Sequence, residues 1–118
     1  MPELVHHNLT TPWKVDQPIP LPEYPRPQLV RGNWQNLNGW WDCAIQNLDA
    51  PQPASFEEKI LVPYAPESRL SGVEHVLQPD EKLWYRRTFF VSHNEDEVVH
   101  LHFGAEDFSC EVWINGQE

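Results

Sequence analysis

Proline constrains this chain more than any other residue. Ten of its twelve prolines precede Tyr64, against five glycines in all. Each fixes φ and removes a backbone donor, and each pushes the residue before it toward extended conformations. Over the first half of the chain this excludes long helices and leaves extended segments and turns. Seven of the prolines fall within residues 1–30, and Pro18-Ile19-Pro20-Leu21-Pro22 alternates proline with apolar residues. That lead-in reads as polyproline-like chain, either a linker or a strap lying over another domain, with Trp13, Leu21 and Tyr24 as its apolar anchors.

Beyond the lead-in the pattern has period two. Trp40–Gln46 places Trp41, Cys43 and Ile45 on one face and Asp42 and Ala44 on the other. The turn residues Asn36-Leu37-Asn38-Gly39 precede it. Lys59–Val62 is a short apolar run stopped by Pro63. Tyr64–Glu81 reads as a long surface loop, the kind of segment that often carries function. Leu83–Val91 alternates strongly, with Leu83, Tyr85, Arg87 and Phe89 opposite Trp84, Arg86, Thr88 and Phe90. Val98–Phe103 and Phe108–Ile114 alternate too, the second with Phe108, Cys110, Val112 and Ile114 on its core face. Five strands and no helix predict an all-β sandwich or barrel.

Asn115-Gly116 directly follows the last alternating run and is the strongest short hairpin signal. A hairpin needs a second arm, yet the sequence stops at Glu118. We therefore expect a sandwich cut short of its last strands, because an unpaired edge is an aggregation hazard. The organisation read from sequence is a lead-in over residues 1–30 and a β-sandwich domain over 31–118.

The net charge of −10 disfavours nucleic acid and anionic membranes as partners. No stretch is apolar enough to span a bilayer. The first residues lack the basic and apolar parts of a signal peptide, so the chain as written is expected in the cytoplasm unless a leader has been removed. In that compartment Cys43 and Cys110 read as two inward-facing thiols rather than a disulfide, and two cysteines make no metal motif. No Gly-rich phosphate loop or Ser-His-Asp arrangement is present, and no cofactor is expected.

The blocks Tyr24-Pro25-Arg26-Pro27-Gln28-Leu29-Val30-Arg31 and Asn33-Trp34-Gln35-Asn36-Leu37-Asn38-Gly39-Trp40-Trp41-Asp42 resemble the opening of family 2 glycoside hydrolases. Ile60-Leu61-Val62-Pro63, Leu83-Trp84-Tyr85-Arg86-Arg87-Thr88-Phe89, and Phe103-Gly104-Ala105-Glu106-Asp107-Phe108 through Val112-Trp113-Ile114-Asn115-Gly116 resemble three later blocks of that family, in the same order. Ile114 stands where valine is more usual. The lead-in is most similar to bacterial β-galactosidase-like members. The resemblance implies a jelly-roll, galactose-binding-like domain, followed in a parent chain by an immunoglobulin-like domain and a (β/α)₈ barrel carrying the two catalytic glutamates of a retaining hydrolase. Carbohydrate would be the ligand, and a homo-oligomer is a possible assembly.

No catalytic pair is expected within the chain itself. Glu57-Glu58, Asp80-Glu81, Glu95-Asp96-Glu97 and Glu106-Asp107 are adjacent acids that point apart. The candidates for a pocket rim or a domain contact are Arg69, Asp107 and Trp113. Arg69 could donate two hydrogen bonds to sugar hydroxyls or a carboxylate, or pair with Glu67 or Glu74. Asp107 could face ligand or cap its turn. Trp113 could stack on a sugar or pack on a neighbouring domain. Trp34, Trp40, Trp41 and Trp84 read as core and strap anchors. His100 and His102 share a face at a spacing that can chelate metal, but without a third ligand they read as surface residues. Two other functions stay open: a free-standing carbohydrate-binding module, and a fragment that supplies strands to a partner or exchanges them in a homodimer.

Overall fold

Gly39 opens the sheet at φ 128°, a backbone conformation that side-chain-bearing residues rarely adopt. In the computed structural model, which describes residues 19–106 and 109–118, strand β1 runs from there over Gly39–Asn47. Strand β2 spans Glu58–Val62 and β3 spans Glu81–Arg86. They form one antiparallel sheet in the order β2-β1-β3. The described residues contain no α-helix, only a 3₁₀ turn at Pro27–Leu29. The protein is all-β, as its prolines and its alternation require.

The register settles which side chains share a face. Trp41 lies opposite Ile60, and Cys43 opposite both Glu58 and Tyr85. The other face carries Trp40 opposite Leu61, Asp42 between Lys59 and Arg86, and Ala44 opposite Trp84. Ile60 and Cys43 are wholly buried on the first face. Leu61 is buried on the second, so β2 is covered on both sides. Burying a side chain such as Ile60 contributes roughly 1.5–3 kcal/mol relative to exposing it.

The two arginines of the Trp-Tyr-Arg-Arg run divide between the faces. Arg86 meets Asp42 at 3.3 Å, and its guanidinium lies 4.2 Å from the Phe56 ring centre. Arg87 donates to the carbonyls of Leu37 and Asn38 and stands 5.9 Å from the Trp41 ring centre. The Trp41 indole N–H also donates to Leu37 O, at 2.7 Å. Arg87 therefore clamps the turn that feeds β1, while Trp41 meets Tyr85 edge-on at 6.3 Å.

The described part of the lead-in is a strap on its own domain. The Asn36 and Asn38 side-chain amides donate to Leu21 O and Pro20 O, both at 3.0 Å. Pro20 is buried, and Tyr24 packs edge-on against Trp34 at 4.8 Å. Leu21 is exposed and holds the strap through its backbone carbonyl rather than as an apolar anchor. Trp13 lies outside the described residues.

Several expectations need correction. The third strand begins earlier than Leu83 and ends at Arg86, not Val91, because its ladder with β1 stops at the Asp42–Arg86 pair. Val98–Phe103 and the described part of Phe108–Ile114 form no strand. Their alternation is real, but a strand exists only where a second backbone accepts its hydrogen bonds. Phe90 is 94% exposed and Val98 78%. Cys110 is exposed rather than inward-facing; Cys43 is buried, and neither forms a disulfide. Trp40 is exposed rather than core, and Trp34, part-exposed, serves the strap through Tyr24. Adjacent residues on a strand point to opposite faces, so Trp40 and Trp41 cannot both enter one core. By its contacts the chain divides into two units, Met1–Thr88 and Phe89–Glu118. The sheet belongs to the first.

Candidate functional site

The loop after β2 is held by one hydroxyl. Ser71 is completely buried, and its Oγ donates toward Ser68 O at 2.7 Å and Pro66 O at 3.2 Å. That oxygen also accepts from Val73 N at 3.1 Å. Ser68 Oγ donates to Ala65 O at 2.6 Å and accepts from Ser71 N at 3.3 Å. Such short-range serine bonds let a loop satisfy its own backbone without a ladder. Leu61 N then donates to Ser71 O at 2.9 Å, which ties the loop to β2.

The far end of the loop is fixed by Glu81. Its carboxylate accepts from the backbone N–H of Gln78 at 3.0 Å and meets His75 Nε2 at 3.1 Å. His75 N donates to Pro66 O at 3.0 Å. The segment from Ala65 to Glu81 is thus an ordered, self-bonded loop.

On this platform Arg69 is presented to solvent, with its side chain 75% exposed and 3.8 Å from the Glu74 carboxylate. An ion pair so open to water contributes at most about 1 kcal/mol, so Arg69 can leave Glu74 for a ligand at little cost. Three residues on, Gly72 N donates to Arg69 O at 3.1 Å. Gly72 has φ 82°, and a Cβ there would stand 3.5 Å from the tip of the Trp40 ring. Arg69's loop and Trp40 therefore meet at Gly72. Trp40 is 54% exposed, which leaves an indole surface free beside the loop that carries Arg69. An exposed aromatic face and a planar donor, one on β1 and one on the loop that touches it, are groups that a polar, ring-shaped ligand can use.

The other predicted site residues lie elsewhere. Trp113 is 48% exposed and precedes the Asn115-Gly116 turn, in the second unit. Asp107 lies outside the described residues. Among the described residues, one shallow depression is lined by Asn47, Leu48, Asp49, Ala50 and Asp80, and another by Val112, Ile114, Asn115, Gln117 and Glu118. Neither includes Arg69, Trp40 or Trp113.

Two of the acidic residues hold loops and turns, and a third lies within the sheet. Glu58 stands opposite Cys43 in the ladder, and Glu81 holds the loop. The Glu97 carboxylate accepts from the backbone and side chain of Asn94, both at 3.2 Å. Burial pushes the Cys43 thiol pKa up from 9.0, and the charges of Glu58 and Asp42 add to the shift. Among the described residues no group of three or more His, Cys, Asp or Glu is placed to hold a metal ion. No described helix is long and apolar enough to cross a membrane.

No model of a known protein family matches the chain, and comparison with curated proteins found no match.

Proposed function

We propose that the chain is the N-terminal carbohydrate-binding-like domain of a family 2 glycoside hydrolase of β-galactosidase type. In this reading it is part of a jelly-roll sandwich that docks on a catalytic barrel and shapes the rim of the barrel's pocket. One observation carries the proposal. Three of the sequence blocks that resemble that family, those holding Trp41, Ile60 and Tyr85, meet in a single sheet and bond to one another. Asp42 of one block pairs with Arg86 of another, Trp41 packs on Tyr85, and Arg87 holds Leu37 and Asn38. Blocks remote in sequence are thus parts of one structural unit, as a shared domain requires.

The rim role rests on Arg69 and Trp40, an exposed cation and an exposed indole presented by an ordered loop and a strand. Hydrolysis belongs to the barrel of the parent chain, and the work of this domain is docking and shaping.

The test is turnover of chromogenic β-galactoside, β-glucuronide and β-mannoside by the 118-residue chain and by its gene product extended beyond Glu118. The proposal expects turnover by the extended product alone, on one of the three substrates. In that product Arg69→Ala is expected to raise KM severalfold with kcat little changed, the pattern of a lost uniform binding contact. Turnover by the 118-residue chain overturns the proposal, as does an extended product inactive on all three.

One observation favours a second reading. Phe90, Val98, Val99, Phe103 and Ile114 are exposed in a stretch without a ladder, which is what a segment that supplies strands to a partner presents. That reading expects the 118-residue chain to sediment as a dimer or larger species. The domain reading expects the extended product to bury these residues within its own chain.

A further inference from the structure

We propose that His100 and His102 form a chelating site for a divalent transition-metal ion, with copper(II) preferred over nickel and zinc. The two rings stand with centroids 6.0 Å apart and planes inclined by 32°. Both side chains are exposed, and among the described residues neither has a hydrogen-bond or ion-pair partner to give up.

Metal–nitrogen bonds of about 2.0–2.1 Å place a shared cation roughly 3 Å from each imidazole centroid, so two coordinating rings lie roughly 4.5–6 Å apart, closest at the right angle of a tetragonal ion. The observed separation lies at the wide end of that range, and binding draws the two exposed rings together by side-chain rotation. Neutral imidazole is the commonest protein ligand for such ions. It suits copper, nickel and zinc, among which copper binds most tightly.

The local field favours a cation. From Phe89 to Glu118 the sequence carries seven carboxylates and no lysine or arginine. A one-sided field of this kind raises the local concentration of positive ions. The site is a two-ligand chelate, with water completing the coordination, because no third protein ligand joins the pair among the described residues. It is therefore weaker and more exchangeable than a closed four-ligand site.

The test uses the full 118-residue chain, titrated with copper(II), nickel(II) and zinc(II) chlorides by calorimetry. The variants are His100→Gln, His102→Gln and the double substitution, with His6→Gln/His7→Gln as a control. The proposal expects one equivalent of copper, reversed by a chelator and bound more tightly than nickel or zinc. Each single variant is expected to weaken it at least tenfold, while the control leaves it unchanged. Near-ultraviolet circular dichroism of all variants is expected to match the wild type, since both rings are exposed. Unchanged copper affinity in the double variant, loss of binding in the control, or no saturable binding by the wild type overturns the proposal.

Discussion

The sheet of β1–β3 and the stretch from Phe89 to Glu118 have the same kind of sequence and opposite fates. Both alternate apolar and polar residues. In the sheet, Ile60 and Cys43 are fully buried and every strand has a ladder partner. In the later stretch Phe90 is 94% exposed, and the described residues hold a single isolated bridge, Ile114 with Gln117. Alternation thus selects which face a strand would bury, while a partner backbone decides whether the strand forms at all. A few local features survive without one. Asn115 at φ 51° and Gly116 at φ 80° make the turn that their dipeptide prescribes, closed by Ile114 N to Gln117 O at 2.7 Å and the reciprocal bond at 3.0 Å.

The comparison can be broken by matched truncations. Ile60→Ala is expected to cost about 2–5 kcal/mol in urea denaturation followed by tryptophan fluorescence, through lost burial and a residual cavity. Val98→Ala, on the exposed stretch, is expected to stay within about 0.5 kcal/mol. Equal costs at the two sites would erase the distinction.

The two arginines sharpen it within the sheet. Arg87→Ala is expected to destabilise by about 1.5–3 kcal/mol, because its charged donor serves two backbone carbonyls of the β1 entry turn. Arg86→Ala is expected to cost about 1 kcal/mol or less, and less still in high salt, because its pair with Asp42 is partly exposed.

The cysteines report the contrast chemically. A thiol-specific chromogenic disulfide is expected to label Cys110 at once and Cys43 only on unfolding. The pKa of Cys43 is raised in the folded state, so the native protein holds that proton more tightly than the unfolded chain does. Its contribution to stability is full below the unfolded value and is lost as pH rises through 9.0 toward the folded pKa. Denaturation midpoints are therefore expected to fall above about pH 9, and to fall less in Cys43→Ala. The smallest effect is expected at the isolated turn. Gly116→Ala strains a positive φ, but on a stretch with no ladder it should move global stability by less than about 0.5 kcal/mol, with the loss confined to local amide exchange.

Much of the sheet was legible in the sequence because local rules and tertiary contacts agree there. The runs at Trp40–Gln46 and Lys59–Val62 lie within β1 and β2, each of which extends one residue further at its N-terminal end, and β1 at its C-terminal end as well. The parity of Arg86 and Arg87 placed them on opposite faces, where Asp42 and Leu37 receive them. The end of β3 was not legible, since Arg87 to Val91 alternate as well as the residues before them and only the ladder with β1 shows where pairing stops. The site was legible in part. The Arg69–Glu74 pair was among the expected alternatives, whereas the meeting of Trp40 with Gly72 depends on the buried Ser71 hydroxyl, which no pattern in the sequence marks.

The claim that joins the fold to the proposed function is that the strand-like runs after Phe89 have no ladder among the described residues. Hydrogen exchange along the 118-residue protein tests it most directly. The account predicts slow exchange across β1, intermediate exchange in β2 and β3, and exchange close to the unprotected rate at residues 98–103 and 109–113. Protection of those two runs equal to that of β1 would mean that they pair within the chain, and would contradict it.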